Sequence, residues 1–255
     1  MKKFVQEILR IIHKSILKYN FPDKISIYFH DIYQNEISSI KNIILFFQNL
    51  GYEFVCVSEF SNNFGSNKKQ IALTFDDGFK NWTNLMEMFQ EHNIKATFFL
   101  NSIFLTDEKK DRFLKNINLD DESKLINLSD IKKIYSKGHE IGAHTHSHYT
   151  ISRLSLEELI KEDIKNFDIL SQYFKIVSFA IPYGMRRYVT DDQLDYLKSK
   201  YKTICFGESG MQFKQNENFI QRYPWQCDKS FLYNIENICT DTSYFNDLTL
   251  RSGLG

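Results

Sequence analysis

The sequence has little proline, little cysteine and no net charge. Three prolines in 255 residues leave no Pro-rich linker that would divide the chain, so we expect one large domain. Four cysteines without a Cys-x-x-Cys spacing exclude a zinc ribbon and a disulfide scaffold. Lysine plus arginine equal aspartate plus glutamate at 32 each, which argues against a broad nucleic-acid-binding surface, and we predict no nucleic-acid partner.

The chain also lacks a long hydrophobic run. No stretch approaches the ~20 apolar residues that span a bilayer. Residues 1–20 instead place apolar side chains at helical spacing among basic ones, and these charges interrupt any signal peptide. We predict an N-terminal amphipathic helix over 1–20, packed on its own domain or making peripheral contact with a membrane, followed by a single domain over 21–255. The expected location is the cytoplasm, and the inner face of the membrane is the alternative.

The remaining residues alternate between short apolar strands and longer helices. Strands are predicted at 25–30, 54–57, 70–75, 95–100, 139–143, 176–180, 203–206 and 219–221, and helices at 38–50, 81–91, 128–137, 154–174, 191–201 and 228–238. Helices between successive strands imply parallel strands with right-handed crossovers. About seven such units predict an α/β barrel whose reactive groups lie at the carboxyl ends of the strands.

Polar residues with catalytic chemistry follow several of these strands. Asp76 and Asp77 end an apolar strand, where two buried carboxylates are costly without a cation. His144 and His148 follow another strand at i, i+4 spacing, and two imidazoles with one carboxylate leave open positions on a divalent ion. The alternatives are an ordinary Asp-Asp-Gly turn and an ordinary surface histidine pair.

Three further strands end in polar or turn-forming residues. His30 ends the first strand, Pro182 and Tyr183 follow the strand at 176–180, and Arg222 ends the strand at 219–221. In a barrel, all of these residues converge on one mouth. The convergence is a stronger signal than any one of the residues.

The motifs together resemble a known family. TFDDG (74–78) followed by IKATFFL (94–100), GHEIGAHTHSH (138–148) and SFAIPYG (178–184) resemble, in order, the signatures of the polysaccharide deacetylases, the NodB-homology carbohydrate esterases. The resemblance covers at least residues 25–225. It implies a distorted (β/α)7 barrel and a metal-dependent hydrolase of non-peptide amide bonds.

The resemblance also implies roles for individual residues. Asp77, His144 and His148 would bind a divalent metal, with zinc as the expected ion. Asp76 would act as the general base on the metal-bound water, and the backbone N–H of Tyr183 would help hold the oxyanion.

Two departures from the family pattern matter. No histidine follows His148, so the late histidine that serves as the general acid in many members is absent. IYFHDI (27–32) resembles the Y-H-[DE]-[VI] segment of a rearranged subgroup, which makes His30 the expected acid, oriented by Asp31. Ala180 stands where many members have an arginine that braces the base, and we predict that Arg222 supplies that charge.

Three residues are expected to support the reacting groups or to contact substrate. Thr145 would hold the histidine loop by hydrogen bonding. Pro182 and Trp225 would lie beside the substrate or behind the reacting groups. A sugar-stacking wall of Tyr183, Tyr188, Tyr223 and Trp225 is one interpretation, and ordinary packing is the other.

The sequence thus predicts a metal-dependent hydrolase that removes N-acetyl groups from a sugar or glycan, an intermediate of surface polysaccharide biosynthesis. The alternatives are an amidohydrolase acting on a non-sugar amide and a non-catalytic glycan-binding protein of the same fold. An iron(II) oxygenase also uses two histidines and a carboxylate, but its carboxylate usually follows two residues after the first histidine, which is not found here.

Overall fold

The computed structural model describes residues 21–207, 216 and 218–239. The predicted amphipathic helix over 1–20 lies outside the described residues. Among the helices of the described part, each is too short or too polar to cross a bilayer.

One parallel sheet forms the centre of the molecule. Its nine strands are β1 (Lys24–Phe29), β2 (Glu53–Phe54), β3 (Gln70–Asp76), β4 (Ala96–Leu100), β5 (Glu140–Ala143), β6 (Ser178–Ala180), β7 (Thr203–Phe206), β8 (Phe219–Gln221) and β9 (Tyr223–Pro224). Their order is β8-β7-β6-β5-β4-β3-β1-β9, and β2 pairs with the start of β3. Each neighbouring pair is parallel, as expected for strands joined by helical crossovers.

The sheet curves into a nearly closed barrel because residues 219–224 pair on two sides. β8 pairs with β7, and directly after Arg222 the chain continues as β9, which pairs with β1. This architecture confirms the predicted α/β fold, a distorted (β/α)7 barrel. The carboxyl ends of β1, β3, β5, β6 and β7 therefore meet at one mouth.

Eight helices accompany the strands in the described part. They are α1 (Ile37–Asn49), α2 (Val57–Asn62), α3 (Met86–Glu91), α4 (Asp111–Asn116), α5 (Leu128–Ser136), α6 (Leu156–Ser171), α7 (Asp191–Lys200) and α8 (residues 231–239). α6 begins at a capping box, in which the Ser155 hydroxyl accepts from the Glu158 N–H and the Glu158 carboxylate accepts from the Ser155 N–H. Such a cap fixes where the helix starts relative to the strand before it.

The strand predicted at 54–57 is shorter in the structure. β2 ends at Phe54, and α2 begins at Val57. The Val57 N–H donates to Thr97 Oγ1 at 2.9 Å, and the Ser58 N–H donates to Glu140 Oε2 at 2.9 Å. These side chains satisfy the free donors of a helical first turn, so the backbone leaves the sheet.

Phenylalanine fills the space between the sheet and the helices. Phe75 stacks between Phe29 and Phe98, with ring centroids 5.3 and 5.0 Å away, and Trp82 packs against the same group. Each fully buried ring of this kind stabilises the fold by about 2 kcal/mol. β3 is buried along its whole length, so it is a rigid support for the two carboxylates at its end.

Candidate active site

A cavity of about 470 Å³ opens at the carboxyl ends of the barrel strands. Asp76, Asp77, His144 and His148 line its base, together with Arg222. The structure thus brings together residues from β3, from the loop after β5 and from the junction of β8 and β9. The predicted convergence at one mouth is found.

The turn after β3 sets the two carboxylates apart. Asp77 has φ +84°, and Gly78 has φ +95°. A Cβ at Gly78 would lie 2.5 Å from Cε1 of Phe104, so a larger residue does not fit. The strained turn lets adjacent carboxylates face different partners: Asp76 faces Arg222, and Asp77 faces the histidines.

Three donor atoms converge at the base of the cavity. Asp77 Oδ1 lies 3.3 Å from His144 Nε2 and 3.2 Å from His148 Nε2. The potential ligand atoms of the three residues all lie within 4.8 Å of one another, and all three side chains are buried. One ion can therefore contact all three.

Second contacts fix the histidine rings. His144 Nδ1 lies 2.7 Å from the Ala180 carbonyl oxygen, so Nδ1–H donates there and the lone pair of Nε2 faces Asp77. Asn101 Nδ2 donates to the carbonyl oxygens of both His144 and Thr145. Asn116 Nδ2 donates to the carbonyl oxygen of His148 at 3.3 Å. The loop is held through its backbone.

This donor set fits a divalent metal ion. Asp77 Oδ1 and His148 Nδ1 are buried and have no hydrogen-bond partner among the described residues. An unpaired buried carboxylate oxygen is costly, and a cation would compensate it. One carboxylate and two imidazoles are also a ligand set that leaves coordination positions open for water and substrate.

The buried groups shift one another's ionisation. Burial alone would raise the pKa of the Asp77 carboxyl, but His148 and His144 outweigh burial and hold that pKa well below its usual range. Burial would lower the pKa of His144, but Asp76 and Asp77 raise it above the ordinary value. Both carboxylates are therefore ionised at neutral pH.

Arg222 holds Asp76 from the opposite side. Its Nη1 and Nη2 donate to Asp76 Oδ1 and Oδ2 at 2.7 and 2.8 Å, and Nη1 also donates to Thr74 Oγ1 at 3.1 Å. Burial would raise the pKa of Asp76, but the Arg222 charge, and after it His144, lower that pKa below its ordinary value. Arg222 thus holds both oxygens of Asp76, while Ala180 supplies its carbonyl oxygen to His144.

His30 lies at the edge of the same cluster. Its Nε2 is 4.0 Å from Asp77 Oδ2, and about half of its side chain, 51%, is exposed to solvent. Asp31, predicted to orient this ring, instead accepts a hydrogen bond from Asn81 Nδ2. The His30 ring packs edge to face on Tyr28, with centroids 5.4 Å apart.

Tyr183 lies on the other wall of the cavity. It has φ +60°, its ring centroid is 4.9 Å from that of His148, and it is 47% exposed. Gly184 has φ +68°, and a Cβ there would lie 2.5 Å from the backbone of Gly207. This close approach fixes the loop that carries Tyr183. Pro182, directly before it, is buried.

Two predicted supporting residues occupy other positions. Thr145 Oγ1 has no hydrogen-bond partner among the described residues, and Asn101 makes the expected support instead. Trp225 is 8% exposed, packs on Phe231 with centroids 5.4 Å apart, and does not line the cavity. Because side chains alternate along a strand, Tyr223 and Trp225 face away from the side that Arg222 faces.

Sequence reasoning missed four residues at the site: Asn101, Asn116, Asn118 and Tyr33. Asn101 follows β4, so the strand-end rule that selected the other residues could have selected it. Asn116 ends α4 and Asn118 follows it, in a charged region without a clear pattern. Tyr33 is 62% exposed and lines the cavity. Of the predicted stacking wall, Tyr183 lines the cavity, whereas Tyr188, Tyr223 and Trp225 do not.

Comparison with known proteins places these residues in a family context. Residues 65–201 match the family model described as polysaccharide deacetylase. A peptidoglycan-N-acetylglucosamine deacetylase of Bacillus cereus is 33% identical over 108 residues, which are 42% of this chain and 32% of that protein. A chitin deacetylase of Arthroderma benhamiae is 33% identical over 103 residues, 40% of this chain and 23% of that protein. The chain thus spans about a third or less of the length of these relatives.

Solved structures share the fold. A Streptococcus pyogenes deacetylase in complex with acetate superposes with a TM-score of 0.65 at 15% identity, covering 87% of this chain and 99% of that one. A de-N-acetylase of Aggregatibacter actinomycetemcomitans gives a TM-score of 0.65 at 15% identity, covering 84% of this chain and 99% of that one. At such identities the likeness supports the barrel architecture alone.

Proposed function

This chain belongs to the polysaccharide deacetylase family, and from that membership we propose that it removes N-acetyl groups from an amino sugar in a glycan by metal-assisted hydrolysis. The observation that carries the proposal is the convergence of Asp77, His144 and His148 on one point, with a second carboxylate, Asp76, and a solvent-facing imidazole, His30, beside it. A glycan-binding protein would not need this set of strained and unpaired groups.

Asp77 Oδ1 and the Nε2 atoms of His144 and His148 hold the metal in this proposal, and zinc is the ion that matches these donors. When bound, the ion supplies a Lewis acid that acidifies a water molecule and polarises the amide carbonyl. The His144–Ala180 hydrogen bond keeps the Nε2 lone pair available for it.

Asp76 is the proposed general base. Its lowered pKa keeps the carboxylate ionised at neutral pH, so it can take a proton from water. The two hydrogen bonds from Arg222 hold both oxygens in place, so the carboxylate does not need to reorient as the proton moves.

His30 is the proposed general acid. Expulsion of an amine requires a proton donor, and imidazole exchanges protons readily near neutral pH. Its side chain is half exposed and lines the cavity, so substrate can reach it. The backbone N–H of Tyr183 is the proposed additional donor to the oxyanion.

The substrate we propose is a glycan rather than a single small amide. Tyr33 and Tyr183 are exposed at the rim, where their rings offer flat faces to sugar rings outside the reacting unit. The named relatives act on peptidoglycan and chitin, both polymers of N-acetylated sugars. A role in surface polysaccharide biosynthesis, a cytoplasmic location and membrane contact through residues 1–20 remain predictions from the sequence.

Acetate release from a panel of substrates tests the proposal. The panel contains N-acetylglucosamine oligomers of increasing length, N-acetylated nucleotide sugars and small non-sugar amides, each assayed with added zinc and with chelator. We expect zinc-dependent acetate release that rises with oligomer length. The matched control is Asp76→Asn, which should bind zinc and release no acetate.

Two results would contradict the proposal. Release from small amides in preference to sugars would favour the alternative amidohydrolase. Tight oligomer binding without acetate release, and with no difference between wild type and Asp76→Asn, would favour a glycan-binding protein.

A further inference from the structure

A second cavity, of about 320 Å³, lies at the opposite end of the barrel. It is next to the start of β4 and β5, and its walls include Lys95, Lys137, His139, Gln90 and Phe89. The four residues of β5 lie between His139 and His144, so these two histidines, one in each cavity wall, are roughly 17 Å apart. We propose that this second cavity binds a phosphate group, either free phosphate or a phosphate ester.

Two lysine ammonium groups lie at the cavity with donors to spare. Lys137 Nζ donates to Gln90 Oε1 at 2.7 Å, and Lys95 Nζ donates to the Lys137 carbonyl oxygen at 2.6 Å. An ammonium has three N–H donors, so two remain on each lysine. Gly138 has φ +84°, and a Cβ there would lie only 3.0 Å from Lys95 Nζ. Glycine at this position therefore leaves space for the ammonium.

His139 adds a buried donor to the same wall. Its side chain is 4% exposed, and its Nδ1 accepts a hydrogen bond from the Ala96 N–H at 3.2 Å. The neutral ring must then carry its proton on Nε2. His139 also lines the cavity, so this donor is available to a ligand there.

The local charge is positive. Burial, followed by the charges of Lys95 and Lys137, lowers the pKa of His139 to about 4, and no carboxylate raises it. None of the residues that line the cavity carries a carboxylate. A bound anion would relieve the repulsion between the two lysine ammonium groups.

A phosphate fits this arrangement better than a carboxylate does. The donors come from the residue before β4, from the residue after α5 and from the residue before β5, and a tetrahedral group with three or four oxygens can meet donors from several directions. Lysine is also a common point-charge ligand of phosphate. Capping of the α5 carbonyls accounts for the Lys95 bond alone; it explains neither the remaining donors of Lys137 nor the position of His139 in the cavity wall.

Calorimetric titration of the full chain with inorganic phosphate and with glycerol phosphate tests the inference at constant ionic strength. We expect one phosphate per chain, with affinity about tenfold weaker in Lys137→Gln and weaker again in Lys95→Gln/Lys137→Gln. Lys41→Gln, an exposed lysine on α1, should bind as wild type does. Because a metal site also attracts phosphate, the same titration is made with Asp77→Asn, which should retain this binding.

Each outcome decides the question. Binding of both ligands, or of one alone, with loss in Lys137→Gln supports the site and separates free phosphate from an ester. Binding that persists in the double variant, that disappears in Asp77→Asn, or that chloride at equal ionic strength reproduces would overturn it. Melting curves of the Lys137→Gln protein, whose substitution is at an exposed position, should match wild type without phosphate.

Discussion

Two buried aspartates, Asp77 at the barrel mouth and Asp163 on α6, have opposite surroundings. Asp163 accepts hydrogen bonds from Tyr196 and Tyr201 hydroxyls and from Lys200 Nζ, so its carboxylate is fully paired. Asp77 has a buried Oδ1 without a hydrogen-bond partner among the described residues, and a left-handed backbone. The Asp163 carboxylate is saturated with donors from its own neighbours, whereas Asp77 keeps one buried oxygen that a cation would compensate.

The same contrast separates the regions around them. Five of the six non-glycine residues with positive φ in the described part, Asp77, Asn118, Thr145, His148 and Tyr183, lie at the mouth. Neither α6 nor α7, the helices on which Asp163 and Tyr196 lie, contains any of these residues. Strained conformations of this kind cost of order 1 kcal/mol each, so the barrel stabilises a mouth that would not form on its own.

The largest expected effect comes from Asp77→Asn. Asparagine tolerates a left-handed backbone, so the fold should persist while the charged ligand is lost. We expect zinc binding to fall below detection and kcat/KM to fall about ten-thousandfold, roughly 5 kcal/mol. Zinc titration and acetate release measure both. Retained activity would mean that Asp77 is not a ligand.

His30→Ala should lower kcat about a thousandfold, roughly 4 kcal/mol, because proton donation to the leaving amine is lost. Zinc affinity and melting temperature should stay close to wild type, since the side chain is half exposed. His92→Ala, at a histidine outside the mouth, is the matched control. An equal loss of zinc binding in His30→Ala would make His30 a ligand instead of an acid.

Asp163→Asn should do the reverse of Asp77→Asn. The substitution removes the negative charge and one of the two acceptor oxygens, so Lys200 loses its ionic partner and three donors are left with one acceptor. This should lower the free energy of unfolding by about 3 kcal/mol. Zinc binding and activity per folded molecule should not change. The control is Asp195→Asn, which breaks an exposed pair with Lys198 and should cost less than about 0.5 kcal/mol. Urea unfolding measures both variants.

The smallest effect is expected at His139, at the other end of the barrel. Its pKa is about 4 in the fold, below the ordinary value of 6.5. As pH falls below 6.5, His139 becomes protonated in the unfolded chain before it does in the folded chain. The free energy of unfolding therefore falls between about pH 6.5 and pH 4. At pH 5.5 the loss should be about 1 kcal/mol. His139→Gln should show a smaller loss over that interval; an unchanged pH slope would contradict the buried neutral ring.

The sequence was sufficient for residues that end strands. Asp76, Asp77, His144, His148 and His30 could be placed together because the carboxyl ends of parallel strands meet at one edge. Asn101 contacts a residue 43 positions later in the chain, and Asn116 contacts one 32 positions later. No local sequence pattern predicts contacts over such separations.

The predicted role of Trp225 failed for a different reason. The chain passes from β8 to β9 at Arg222, and the alternation of side chains across that junction decides which residue faces the mouth. Composition shows that an aromatic residue is present but not which side of the strand it occupies. Arg222 could be selected because it stands at the strand end itself.

X-ray absorption spectroscopy of the full chain with one equivalent of zinc shows whether Asp77, His144 and His148 hold one ion. We expect two imidazole nitrogens at about 2.0–2.1 Å from the zinc ion, together with a carboxylate oxygen. This spectrum should be lost in Asp77→Asn and unchanged in Asp163→Asn. Sulfur ligands, or a spectrum that Asp77→Asn leaves intact, would contradict it.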